Sequence, residues 1–396
     1  PLDDEKLNRA LDIFADAGWF RELRGITQVP LGMVDGFHPP LYGMDAQLYL
    51  PATMLGRICI ARALQLAARQ QPVEAFDSFF LALDLSRHLR NKAAHDSFMQ
   101  GEGIERMAFP CLNSLVESAA ANPDLLASAL ARLTAHDRAV PPISDTLKLD
   151  YLNMLQTADR GFAHGLGGDE QKIAQFVADS PLEAERTRRI LNTILAGYLR
   201  TVELPYPESI HRISVAKQGW DPQQWSFGWI WTPPSGTDAE MQAAYRQNEY
   251  LAEHSVVRNG PFFEWIVIVY DMAGKTARSA ARLQLALAIF ELRNSRPAGN
   301  LTELVPSIIP EIPKDPYSER PFGYRVSKGE RLEWNPITND DALRYREIQA
   351  GTGVLWSVGG DMVDGGGRIN GAAPWRVPHE LPDRDRLFLV PHLAKP

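Results

Sequence analysis

The sequence predicts a mainly α protein, with an irregular α-helical domain of helical hairpins followed by a small α+β C-terminal domain. Three observations predict it. Residues 52–69 and 73–89 carry apolar side chains in a helical rhythm on either side of a Gln70-Gln71-Pro72 turn. Residues 271–293 form a longer run rich in Ala and Leu, stopped by Asn294-Ser295-Arg296-Pro297-Ala298-Gly299. Beyond that stop come short strand-like runs at 322–326, 331–334, 354–358 and 387–390. A long helix followed by a small sheet reads as an α+β unit packed on that helix. The chain then divides into a helical-hairpin part over 1–202, a Pro/Trp-rich irregular segment over 203–262, and the long helix with its antiparallel sheet over 263–396.

In the first hairpin, Leu55, Ile58, Cys59 and Leu66 keep the helical rhythm, with Ala61, Ala63 and Ala67 between them. Its second helix sets Phe76, Phe79, Phe80, Leu83 and Leu85 on the same period. Small residues on the facing side let two antiparallel helices approach closely, which makes an αα-hairpin. Further helices are expected over 104–121, 123–136, 144–160 and 181–202. Asn122-Pro123 supplies a capping side chain and a proline for the first turn, and Ser144 and Ser180-Pro181 are read as further starts. Pro110 is expected to kink or interrupt its helix. No strict repeat period occurs, so a regular solenoid is not expected. Residues 203–262 then hold Pro205, Pro207, Pro222, Pro233, Pro234 and Pro261, which leave room for only one helix, over 238–253. An irregular stretch of that length is usually functional or covers a core.

With 45% hydrophobic and 23% charged residues, the composition is that of a soluble globular protein. A net charge of -8 argues against nucleic acid as the main partner, because phosphate backbones are gripped by clustered Lys and Arg. The one dense basic run, Arg186-Thr187-Arg188-Arg189, reads as a solvated helix face. No apolar run reaches the roughly 18 residues that span a bilayer. The chain begins Pro1-Leu2-Asp3 without an initiator Met, which reads as a processed or trimmed form. Membrane association is therefore expected only through a segment ahead of Pro1. Cys59 and Cys111 lie in apolar helical contexts, where buried free thiols are the plainer reading and a single disulfide the alternative.

The C-terminal motifs form a series. After the long helix come Leu301-Thr302-Glu303-Leu304-Val305, then Pro313-Lys314-Asp315-Pro316, then Pro321-Phe322-Gly323-Tyr324-Arg325. Leu355-Trp356-Ser357-Val358-Gly359-Gly360-Asp361 closes it. In order and spacing the series resembles the globular head of major pseudopilins, the fibre subunits of type II secretion systems. The resemblance covers roughly residues 275–391. It implies a calcium-binding loop after the last signature strand, with Asp361, Asp364, Asp383 and Asp385 as side-chain ligands and the carbonyls of Leu355 and Ser357 as helpers. Calcium takes six to eight oxygens, and glycines such as Gly365, Gly366 and Gly367 let carbonyls and carboxylates converge. Asp and Gly are also what a plain turn requires, and a bound ion would be structural rather than catalytic.

Two departures bear on function. A pseudopilin starts with a hydrophobic helix, whereas here a long helical stretch of other character precedes the head. The loop also carries extra residues, Arg368 to Pro382. A fibre subunit is not expected. As a whole the chain resembles exported bacterial proteins in which a helical domain is joined to such a tail, which implies a periplasmic or cell-envelope location.

Two other groups can carry chemistry. Trp220, Trp225, Trp229 and Trp231, with Phe227 among them, can line a sugar-stacking groove or a partner pocket, or simply bury themselves over the helical core. The histidines are less telling. There is no HExxH, and His88 and His95 share a face only if their helix is unbroken, while His164 sits in a Gly-rich loop. GxSxG and Walker patterns are absent. The acidic pairs Glu183 with Glu185 and Asp340 with Asp341 take no acid or base role without geometry. The leading expectation is an exported, non-enzymatic binding or scaffold protein with a protein partner in a cell-envelope assembly. The alternative is a hydrolase acting on an envelope or extracellular polymer, with the Trp segment gripping substrate.

Overall fold

The computed structural model describes residues 5–28, 46–159, 175, 181–202, 204–209, 266–333, 345–360, 362–367 and 385–393. Over these residues the protein is mainly helical, with a small antiparallel sheet near the C-terminal end. The helices are α1 (Glu5–Asp16), α2 (Trp19–Thr27), α3 (Ala46–Ala68), α4 (Pro72–Arg90), α5 (His95–Ala108), α6 (Leu112–Ser118), α7 (Pro123–Ala139), α8 (Ile143–Asp159), α9 (Pro181–Val202) and α10 (Ile266–Asn294). The strands are β1 (Gly323–Val326), β2 (Arg331–Glu333), β3 (Tyr345–Glu347), β4 (Gly353–Ser357) and β5 (Arg386–Val390).

The α3/α4 hairpin forms as its spacing predicts. Gln70 takes the left-handed conformation that ends α3, the Gln71 N–H returns to the Leu66 carbonyl at 2.9 Å, and Pro72 opens α4. Along α4, Phe76, Phe79, Phe80, Leu83 and Leu89 are buried. Asn122 caps α7 as expected, its side chain accepting from the Leu125 N–H at 3.0 Å. Pro110 interrupts its helix as a single 3-10 turn, Phe109–Cys111, between α5 and α6. Cys59 and Cys111 are free thiols, and burial raises them to about 12 and about 11.

Four helix starts differ from expectation: α3 begins at Ala46 rather than residue 52 and α10 at Ile266 rather than 271, and α5 and α8 also start early. The helix expected from residue 104 begins nine residues earlier, at His95. Lys92 takes a positive φ and ends α4, so His88 and His95 lie on different helices. Ala94 at the new start has no side chain to cap with; instead Asp150 of α8 accepts the His95 N–H at 3.1 Å. That cap comes from another helix, where no local pattern can reveal it. Ser144 is likewise not a cap, because α8 already begins at Ile143.

Helix α10 is the centre of the molecule. Ala280, Ala281, Leu283 and every residue from Leu285 to Phe290 are buried, so this stretch of the helix is covered on all sides. It packs against α5, α6 and α7 and against β4 and β5. One continuous core joins Phe79, Leu112 and Leu133 of the helical part to Ala286, Leu304, Leu355 and Val390. Gln284 bridges the two sides, its amide donating to the Leu389 carbonyl at 2.7 Å and to Asn113 Oδ1 at 3.2 Å.

The three-stranded sheet has the order β1-β4-β5, all antiparallel, and β2 pairs with β3 in a separate two-stranded ribbon. Gly323 of β1 faces Trp356 of β4. A Cβ at Gly323 would stand 1.9 Å from the indole, so the absent side chain makes room for the ring. Among the described residues no helix is long and apolar enough to cross a membrane.

Candidate functional site

A buried charge network lies where α4, α5, α7 and α10 meet. From α4 comes Arg90, fully buried in the interior. From α5 come Glu102 and Glu105, one helical turn apart, and α7 adds His136 and Asp137. Helix α10 supplies Asp271, Lys275, Arg278 and Arg282 at spacings of four, three and four, which place them on one face.

Glu105 is the hub. Its carboxylate lies 2.7 Å from Arg278 Nη1, 3.2 Å from Arg90 Nη1 and 2.8 Å from His136 Nε2. Glu102 sits 2.8 Å from Arg90 Nη1 and 3.7 Å from Arg278 Nη1. Arg278 Nε donates to Asp137 Oδ1 at 2.8 Å, and Arg282 reaches the other oxygen of Asp137 at 3.2 Å. Asp271 holds Lys275 at 2.7 Å and lies 3.8 Å from Arg90.

Burial and charge split the two glutamates. At Glu102 burial is the largest influence, and with the neighbouring Glu105 it outweighs Arg90 and Arg278, lifting the carboxyl from 4.5 to about 7. At Glu105 burial pulls the same way, but Arg278, Arg90 and His136 overcome it and hold the group ionised well below the usual range. Arg278 is held charged in turn, since Glu105, Glu102, Asp137 and Asp271 more than offset its burial. Arg90 is within ion-pair distance of both glutamates, yet none of its N–H groups is aligned for a hydrogen bond. Its guanidinium instead lies 4.8 Å from the centre of the Phe98 ring. Gly274 lets α10 press onto this cluster: a Cβ there would stand 2.3 Å from Glu102 Oε2.

The network reaches the surface at a cleft of about 290 Å³. Asp137, Asp271, Lys275 and Arg278 line its charged side. Val140, Pro141 and Pro142 from the α7–α8 corner and Val202 at the end of α9 line its apolar side. The site thus combines paired charges of both signs with an apolar wall, an arrangement that suits recognition.

The residues singled out from sequence fall elsewhere. Trp220, Trp225, Trp229 and Trp231 lie outside the described residues, as do His164, Asp340, Asp341, Asp361 and Asp383. Asp364 and Asp385 come together in one turn. Asp385, buried, accepts the Gly365 N–H at 3.2 Å and the Gly367 N–H at 2.7 Å. Asp364 Oδ1 accepts the Trp356 indole N–H and the Gly366 N–H, each at 2.9 Å. In the described residues these carboxylates accept N–H donors that hold the turn together. No group of three or more His, Cys, Asp or Glu suited to a metal ion occurs among the described residues.

Asp315 ties the C-terminal motifs of this chain to one another. Its buried carboxylate accepts from Ser357 Oγ at 2.8 Å, Val358 N at 3.0 Å and Tyr317 N at 3.1 Å. The Asp-Pro turn is thereby pinned to the Trp-Ser-Val-Gly run.

Comparisons with protein-family models, with curated proteins and with solved structures give no match for the chain. The charge network escaped sequence reasoning, although a signal was present. Asp271, Lys275, Arg278 and Arg282 form a charged stripe at helical period inside an otherwise Ala/Leu-rich helix.

Proposed function

We propose that the protein is a non-enzymatic binding protein of the cell envelope, exported, and a partner or subunit of an envelope assembly, with the α7–α10 cleft as its binding site. One observation carries the preference for binding over catalysis: every charged side chain lining the cleft is held in an ion pair. Asp137 is held by Arg278 and Arg282, and Asp271 by Lys275. Charges paired in this way present a balanced surface for recognition. A general acid or base needs instead a group placed to exchange a proton with substrate. The continuous core supports the scaffold side of the reading, because it joins the helices and the sheet in one body.

The envelope location rests on the resemblance of the C-terminal motifs to pseudopilin heads. A structural calcium at Asp361, Asp364, Asp383 and Asp385 belongs to the same proposal. The test is affinity capture of the full chain from a detergent-solubilised envelope fraction after mild crosslinking, with mass spectrometry of what is retained. Reproducible recovery of an envelope protein, lost with Arg278→Met or with a bulky Val202→Trp at the cleft, is the expected result. Recovery that is indifferent to both changes overturns the cleft as the site. Polymer-hydrolysing activity lost in the same variants overturns the non-enzymatic reading.

A further inference from the structure

The cleft has a charge arrangement that selects its ligand. Its polar side presents two acids, Asp137 and Asp271, and two bases, Lys275 and Arg278. A ligand of one sign would have to draw a member out of its pair; an anion that took Lys275, for example, would leave Asp271 only Arg90, at 3.8 Å. Arg278 cannot make way, because it is 2% exposed and held by both Glu105 and Asp137. Lys275 can. Its side chain is 42% exposed, and the contact with Asp271, one turn back on the same helix, is its ion pair in the cluster. An ammonium group on a four-carbon stem swings without disturbing the backbone.

We propose that this cleft binds a free α-amino acid with an apolar side chain. The ligand's ammonium takes the place of the Lys275 ammonium at Asp271. The displaced Lys275 then pairs with the ligand's carboxylate, so that no charge is left unpaired. The apolar side chain lies against Val140, Pro141, Pro142 and Val202. A volume of about 290 Å³ is at the small end of ligand pockets, which admits one amino acid and excludes nucleotides. The exchange is electroneutral, so affinity should depend little on salt, unlike the binding of a simple ion.

This inference rests on the cleft being a binding site, and the experiment separates the two. Isothermal titration and thermal shift on the full chain use L-leucine, L-leucinamide, N-acetyl-L-leucine and L-serine. Saturable binding is expected for leucine alone, since leucinamide lacks the carboxylate, the acetyl compound lacks the ammonium, and serine lacks the apolar group. Lys275→Met should weaken leucine binding at least about tenfold, and Lys275→Arg should keep most of it. Circular dichroism of both variants shows whether they remain folded, and Val202→Trp tests the apolar wall should Lys275→Met fail to fold. Equal binding of leucinamide or N-acetyl-leucine overturns the zwitterion assignment. Absence of leucine binding up to millimolar concentrations overturns it as well, while leaving the capture of envelope partners to decide the wider reading. Leucine recovered chemically altered would refute the non-enzymatic reading itself.

Discussion

Glu102→Gln tests the central network most directly. The folded protein lifts Glu102 from 4.5 to about 7, chiefly through burial. A carboxyl raised in this way contributes its full stability below its unfolded value. That contribution is lost as pH rises through about 7. Each pKa unit corresponds to about 1.4 kcal/mol, so the loss between pH 5 and pH 8 is about 2 to 3 kcal/mol. Glu105 has the opposite sign: its contribution is present above its unfolded value and lost only in stronger acid, so it adds no slope in that window. The assay is urea unfolding followed by circular dichroism at both pH values, on wild type and variant. The stability difference should be small near pH 5 and should favour Glu102→Gln by about 2 to 3 kcal/mol near pH 8. A variant that is less stable than wild type at pH 8 would refute the reasoning. It would mean that an ionised Glu102 is stabilised by Arg90 and Arg278 by more than its burial costs.

Three further outcomes follow from the same geometry. Gly274→Ala places a methyl group against Glu102 Oε2 inside the packed network and should cost about 1 to 3 kcal/mol despite the better helix propensity; combined with Glu102→Ala, which clears the space, the added loss should shrink, as a double-mutant cycle in urea will show. Asp315→Ala leaves the Tyr317 and Val358 N–H groups without their acceptor and should cost about 3 kcal/mol or more, with a change in the near-ultraviolet signal of Trp356 in the adjoining strand. If the loop around Asp364 and Asp385 holds a structural calcium, chelation should lower the thermal midpoint and metal analysis should find about one equivalent; an unchanged midpoint with no calcium detected removes the ion from the proposal.

What the sequence made legible, and what it hid, follows from the range of the interactions. The α3/α4 hairpin, the Asn122 cap and the break at Pro110 are written within a few residues of where they act, so periodicity and capping chemistry reveal them. The start of α5 is not written locally, because its cap is Asp150, 55 residues away. The same holds for the site. Glu102 and Glu105 are two acids in a polar-looking stretch, and Arg90 closes an otherwise ordinary helix. Nothing in either segment says that they meet Arg278, which lies 173 residues beyond Glu105. The stripe on α10 was the one local clue, since charges at helical spacing in a helix otherwise fit for burial must find partners inside the protein. Motifs of known chemistry point instead to the Gly/Asp loop. There Asp385 and Asp364 hold backbone and indole N–H groups, and Asp315 fastens the preceding turn to the sheet. The charges that meet the cleft lie on the central helix and on the end of α7, where burial strengthens each pair and makes each unpaired state costly.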